Sequence, residues 1–267
     1  MPPFWLSLHG PPCQSSLVIS GVRGHNNLDE HPLDTLTGLF CQKHGPGKHS
    51  TGPRGETIHC MHRRTLSKRI SRRYDRLAFF YDRMEAPIEK SRFASWRKRL
   101  TDRITGDRAL EAGVGTGKNL PYYPSGVHVT AVDFSPKMLK RARNMAAVLQ
   151  QDVDLLEMDV QSLAFPDNSF DTVFATFVFC SVPDPVRGLQ ELRRVCRPRG
   201  RLLLLEHMRP GTPFLGILFD LVNPMVVRMM GANINRRTVD NICKAGWKIR
   251  VEEDLSSDIV RWIEGTP

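Results

Sequence analysis

Leu110-Glu111-Ala112-Gly113-Val114-Gly115-Thr116-Gly117 decides how this chain is read. The apolar pair Ala109-Leu110 leads into three alternate glycines, and a helical stretch follows. Glycines at that spacing let the backbone approach a ligand closely, at an entropic cost that a plain turn has no need to bear. Two well-known ligand loops are excluded. A dinucleotide fingerprint, G-x-G-x-x-G, needs glycine at position 118 or 120, where the chain has Lys118 and Leu120. A P-loop needs Gly at 112 and Ser or Thr at 119, where it has Ala112 and Asn119. What remains is E-x-G-x-G-x-G headed by Glu111, with Asp133 twenty residues after Gly113. An acid at the end of the second strand accepts both hydrogen bonds of a ribose diol, so the loop suits a nucleoside without phosphates.

Outward from the loop, short apolar runs alternate with helical stretches. Val129–Asp133 is followed by a helix opening at Ser135-Pro136, where Ser caps and Pro suits the first helical position. Strands are predicted over Val153–Met158, Phe170–Phe179, Leu202–Leu205, Trp247–Glu252 and Ile259–Ile263, with helices over Pro185–Val195 and Thr238–Ala245. Strands alternating with helices mean βαβ units and a mostly parallel sheet, and unbroken apolar runs are what a strand buried on both faces requires.

The chain's 267 residues carry a net charge of +10, and nearly all of the excess lies in residues 61–108, which hold fifteen Lys/Arg against six Asp/Glu. Such a stretch serves as a solvated helix face, a membrane-surface contact or a nucleic-acid patch. Leu66, Ile70, Leu77, Phe80 and Met84, then Phe93, Trp96 and Leu100, recur near helical spacing, so two amphipathic helices are expected to cover the main domain. The expected organisation is 1–60, 61–104 as this helical cover, and 105–267 as the ligand-binding domain. Residues 1–60 contain seven Pro, eight Gly and six of the nine His with no sustained period, and are expected to be a disordered extension or the product of a start site placed too far upstream. The six cysteines form no C-x-x-C pair, which favours a reducing, cytoplasmic setting over a disulfide framework. No metal site is expected: Cys41, His44, His49, Cys60 and His62 match no zinc spacing. Met1 is followed by two prolines and no basic segment, against a signal peptide, and the apolar stretch Phe214 to Met230 is too short and polar to span a bilayer.

Taken together, the glycine loop, Val132-Asp133-Phe134-Ser135-Pro136-Lys137-Met138-Leu139, Met158-Asp159-Val160, Phe170-Asp171-Thr172-Val173 and Leu192-Arg193-Arg194-Val195-Cys196-Arg197-Pro198-Arg199-Gly200 resemble the class I S-adenosylmethionine-dependent methyltransferases over about residues 66–265. Arg199 departs from the family's usual Gly, in a turn remote from the cofactor. The resemblance implies a doubly wound, mostly parallel seven-stranded sheet, a Rossmann-like α/β fold, with S-adenosylmethionine as cofactor. It implies that Glu111, Gly113, Gly115 and Gly117 belong to the methionine end and that Asp133 holds the ribose. Phe134 and Met138 would flank the adenine, Asp159 with Val160 would meet its exocyclic amine, and Thr176 and Phe177 would pass the sulfonium. Phe134 and Met138 have a second reading as core, and Asp159 as an acid capping its own turn.

Within that family, Tyr74-Asp75-x-x-Ala78-x-x-Tyr81-Asp82 is similar to the opening of quinone C-methyltransferases. Glu111–Gly117 with Tyr123-Pro124 and Val182-Pro183-Asp184-Pro185 resembles phosphatidylethanolamine N-methyltransferases, and Phe179-Cys180-Ser181-Val182 with Glu206-His207-Met208 and Gly231–Thr238 resembles membrane-associated thiol methyltransferases. The common implication is a small or lipid-like acceptor, with Pro213–Met230 as substrate cover or bilayer contact. Methyl transfer to a good nucleophile needs alignment and no base, whereas a hydroxyl or ammonium must lose a proton. His207, Tyr81 and Tyr74 are the candidates for that task. The alternative of another class, an RNA-binding protein using the basic helices, lacks the interleaved aromatics of an RNA-binding module.

Overall fold

The computed structural model describes residues 92–256 and 258–267. The expectations for residues 1–91, including Tyr74, Tyr81, the first cover helix and the five Cys and His residues weighed as metal ligands, lie outside the described residues.

Seven strands form one sheet: β1 (Arg108–Ala112), β2 (His128–Asp133), β3 (Val153–Glu157), β4 (Phe170–Thr176), β5 (Cys196–His207), β6 (Lys248–Ser256) and β7 (Val260–Thr266). Their order is β3-β2-β1-β4-β5-β7-β6, and β7 runs antiparallel to both of its neighbours. The helices are α1 (Ala94–Thr101), α2 (Pro136–Leu149), α3 (Pro185–Val195), α4 (Pro213–Met230) and α5 (Thr238–Lys244). The chain winds outward from β1 through β2 to β3, then returns to the other side of β1 as β4. That reversal opens a crevice at the carboxyl ends of β1 and β4, where doubly wound sheets bind ligands.

The run Leu202–Leu205 shows why continuous apolar strands are needed here. Leu202 and Leu204 pack on one face with Leu110, Leu189 and Trp247, whereas Leu203 and Leu205 pack on the other with Ala109, Leu139 and Trp262. Successive side chains point to opposite faces, and both faces are covered. The Trp247 indole N–H donates to the Leu189 carbonyl at 2.9 Å, tying α3 to the start of β6.

The helices begin where their caps place them. Ser135 accepts from the Met138 amide ahead of Pro136, and Asp184 accepts from the Arg187 amide ahead of Pro185. Strand β4 stops at Thr176, three residues short of the predicted end, because Phe177 takes a left-handed φ of 58°. Pro213–Met230 forms one continuous helix with Pro224 inside it, ended by Gly231 at φ 83°. Among the described residues no helix is long and apolar enough to cross a membrane.

Candidate active site

At the end of β1 the chain turns under the amides of Gly113 and Val114, which both donate to the Val132 carbonyl, at 2.8 and 3.0 Å. Gly113 has φ +69°, and a β-carbon there would lie 2.5 Å from a Val178 methyl, so the loop after β4 sits directly against the glycine backbone. Gly115 has φ +57° with nothing within 4 Å of a would-be β-carbon. One glycine thus serves a close approach and the other a left-handed bend beside open space.

Asp133, at the end of β2, ties this loop to the next helix. Its Oδ2 accepts from the Gly115 amide at 2.9 Å and its Oδ1 from the Ser135 amide at 2.9 Å. Asp133 also lines the cleft, so it holds the loop and faces the cleft together.

The cleft encloses about 890 Å³ including its open mouth. Of the residues singled out in the sequence, Gly113, Gly115, Asp133, Phe134 and Met138 line its β1–β2 side, and Asp159, Val160, Thr176 and Phe177 complete the wall. Asp159 has both suggested roles in view. Its carboxylate accepts from the Gln161 amide and side chain at 2.9 Å, and it also lines the cleft.

Glu111 and Gly117 lie outside the cleft wall. Strand alternation turns Glu111 to the face covered by residues 119–123, where Asn119 donates to its Oε1 at 2.7 Å and the Tyr123 hydroxyl donates to Oε2. Burial raises this carboxyl to about 7, against the opposing pull of the Tyr123 and Asn119 hydrogen bonds and the Arg97 charge. Gly117 packs instead on Leu120 and on the backbone of α2 at Ala142. His207 ends β5, with its ring stacked on Phe177 at 4.4 Å between centroids; Phe93 and Trp96 extend this aromatic group.

Arg97, Lys118, Met158, Ser181, Val182 and Pro183 also line the cleft; Met158, Ser181, Val182 and Pro183 stand in the segments that carry the family resemblance, but none of the six was assigned to the cofactor. The turn holding the last three is clamped from several sides. Glu206 Oε1 accepts from the amides of Val178 and Phe179 at 2.9 and 3.1 Å. The Asn233 amide donates to the Cys180 carbonyl and Arg236 to the Val182 carbonyl, at 2.8 and 2.9 Å. Burial pushes Glu206 up to about 7, opposed by its backbone hydrogen bonds, and Cys180 up to about 12. Their place in the cleft wall is set by partners on other elements, which residue spacing does not show. Among the described residues no group of three or more His, Cys, Asp or Glu is placed to hold a metal ion.

Known proteins share this fold. The family described as "Methyltransferase domain" matches residues 110–204. A phosphatidylethanolamine N-methyltransferase of Cereibacter sphaeroides is 41% identical over 142 residues, 52% of this chain and 68% of that protein. A demethylmenaquinone methyltransferase of Clavibacter sepedonicus is 32% identical over 208 residues, 74% of this chain and 84% of that protein. A Thermotoga maritima structure described as a SAM-dependent methyltransferase, possible histamine N-methyltransferase, shares the fold with a TM-score of 0.57 at 22% identity, covering 73% of this chain and 98% of that one. The chain belongs to the class I S-adenosylmethionine-dependent methyltransferases. It is an enzyme, and its methyl donor is S-adenosylmethionine.

Proposed function

We propose that the enzyme methylates a small lipid-like or quinone-like acceptor, at a membrane surface. The observation that carries this reading is that two relatives above 30% identity are named for a phospholipid amine and for a quinone precursor. The structure adds a physical reason. Phe214, Ile217, Leu218, Leu221, Met225 and Met229 are exposed on α4, and their spacing of three and four places them on one helix face. An apolar stripe on the surface of a chain with a net charge of +10 suits contact with anionic lipid. The free thiols Cys180 and Cys196 agree with a cytoplasmic setting.

In this reading residues 105–267 bind the cofactor and 61–104 cover it. Asp133 takes the ribose hydroxyls, Phe134 and Met138 flank the adenine, and Asp159 and Val160 meet its edge. Gly113 and Gly115 border the methionine, and Thr176 and Phe177 pass the sulfonium. The bound cofactor supplies an activated methyl group, and the chain's task is to align an acceptor with it and exclude water. Glu111 supports the loop from beneath, and Gly117 lets α2 pack closely. For an amine or hydroxyl acceptor, His207 is the described candidate for removing a proton. His207→Phe keeps the stack on Phe177 and removes the ring nitrogens, so an unchanged rate with an amine acceptor would eliminate that role.

The reading is tested by supplying methyl-labelled S-adenosylmethionine with phosphatidylethanolamine vesicles, a demethylated quinone in detergent, or a small thiol. Label is expected in the organic extract with one of the first two. Transfer to the thiol alone would overturn the lipid-like assignment.

A further inference from the structure

We infer that Glu206 is a positioning residue of the active site: lying outside the cleft wall, it acts through the two backbone amides that follow Phe177 to hold that residue's ring in the wall. The inference rests on the cofactor placement proposed above, in which Phe177 passes the sulfonium, and it is independent of the acceptor.

Phe177 is the residue that needs holding. Its φ of 58° is left-handed, a conformation that a bulky residue keeps only where its surroundings impose it, and such strain gathers at functional sites. Three consecutive residues at the end of β5 impose it here. The Phe177 amide donates to the Leu205 carbonyl at 2.8 Å. The next two amides, of Val178 and Phe179, donate to Glu206 Oε1 at 2.9 and 3.1 Å. The Phe177 ring stacks on His207 with 26° between the planes. Phe177 and Val178 line the cleft, whereas Glu206 is fully buried behind them.

The chemistry of Glu206 points to its oxygen rather than to its charge. Oε2 is buried without a partner, and among the described residues Glu206 forms no ion pair. A carboxyl buried without a cation is costly, and what offsets that cost is the backbone of the turn after Phe177. Glu206 thus serves as a hydrogen-bond acceptor of fixed reach, which a glutamine supplies equally and a leucine does not.

On its other side the turn meets the glycine loop, since a β-carbon on Gly113 would lie 2.5 Å from a Val178 methyl. Without the Glu206 acceptor, two amides lose their partner directly after a strained residue. The turn then relaxes by shifting Phe177 and Val178 against the loop, and the cleft wall changes shape. A Glu206 with a structural role alone would instead lower stability and leave the affinity of the folded chain untouched.

The test is a double-mutant cycle on the full chain, read as S-adenosylmethionine affinity by equilibrium titration, with thermal midpoints measured alongside. Phe177→Ala and Glu206→Leu are each expected to weaken binding about tenfold, within the range of coupling between residues that act together. The double variant should be no more than about twofold weaker than the weaker single one, because Glu206 acts through Phe177. Glu206→Gln should bind within about twofold of wild type. Glu206→Asp, which keeps the carboxylate and withdraws it by one methylene, should behave as the Leu variant does, and it carries the test if that variant does not fold. Additive losses, failure of Gln to rescue, or a lowered midpoint with wild-type affinity in Glu206→Leu beside a weakened Phe177→Ala would overturn the inference. Wild-type affinity in Phe177→Ala would overturn the cofactor placement itself, and this inference with it.

Discussion

The two sides of the crevice are built differently. On the β1–β2 side the buried acids are fully engaged: both oxygens of Glu111 and both of Asp133 accept hydrogen bonds within the chain. On the β5 side, Glu206 Oε2, Arg236 Nε and Thr238 Oγ1 are buried without a partner among the described residues. Among the described residues, six of the eleven exposed large hydrophobic side chains lie on α4, on that same side. A ligand of fixed shape is best met by groups already held in place, because ordering them on binding would weaken affinity. A greasy acceptor is best met by apolar surface, which is non-directional and needs no such preparation.

The largest expected effect lies on the prepared side. Gly113→Ala forces a left-handed conformation on a residue with a β-carbon, at about 1–2 kcal/mol. It also drives that carbon into Val178, where overpacking adds about 1–3 kcal/mol. Gly115→Ala meets no such neighbour and should show only the first cost. Denaturant midpoints of the pair separate the two effects; equal losses would mean that the loop does not press on the turn after β4.

Next in size, Asp133→Ala should weaken S-adenosylmethionine binding by about 1.5–3 kcal/mol, the value of a hydrogen bond to a charged group. Asp159→Ala should cost less, because the amine of a base edge offers it one hydrogen bond where a ribose diol offers Asp133 two. Titration calorimetry that reversed this order would place the ribose elsewhere.

The unpartnered side has a pH signature. The Glu206 carboxyl lies at about 7 in the folded chain, against 4.5 for the ordinary group. Between those values the folded state binds the proton that the unfolded state has released, so this contribution to stability is complete below pH 4.5 and is lost as pH rises through about 7. Glu111 adds a change of the same sign. Glu206→Gln should flatten the fall in stability between pH 5 and 8 by on the order of 1–2 kcal/mol, leaving the Glu111 share. An unaltered pH profile would show that Glu206 ionises normally.

Smallest of all should be the effect of polar residues on the α4 stripe. Phe214→Ser with Leu221→Ser replaces side chains that are 78% and 73% exposed, so stability should change by no more than about 0.5 kcal/mol per site. Sedimentation with anionic vesicles should nevertheless fall clearly. Loss of stability without loss of vesicle binding would make α4 a packed lid and break the contrast between the two sides.

The fold was legible because its strongest constraints are local. Three alternate glycines before a helix, an acid at the next strand end, and apolar runs too long for a one-sided strand all act within a few residues. Nine of the eleven residues assigned to the cofactor line one cleft for that reason. Glu111 belongs to the same motif, yet its direction depends on Asn119 and Tyr123 packing over its face of β1. Arg97 carried no signal in a run of basic residues, since what distinguishes it from Lys98 and Arg99 is Thr176, 79 residues away.

The amino-acid sequence by itself determined the sheet, the loop and the class of ligand, because periodicity and backbone conformational freedom are properties of neighbours along the chain. Only the tertiary structure decided which charges are buried, which carboxylates face the cleft and which face of Pro213–Met230 stays outside. Burial and hydrogen-bond pairing depend on elements that meet in space, and the distances that govern them are not written in residue spacing.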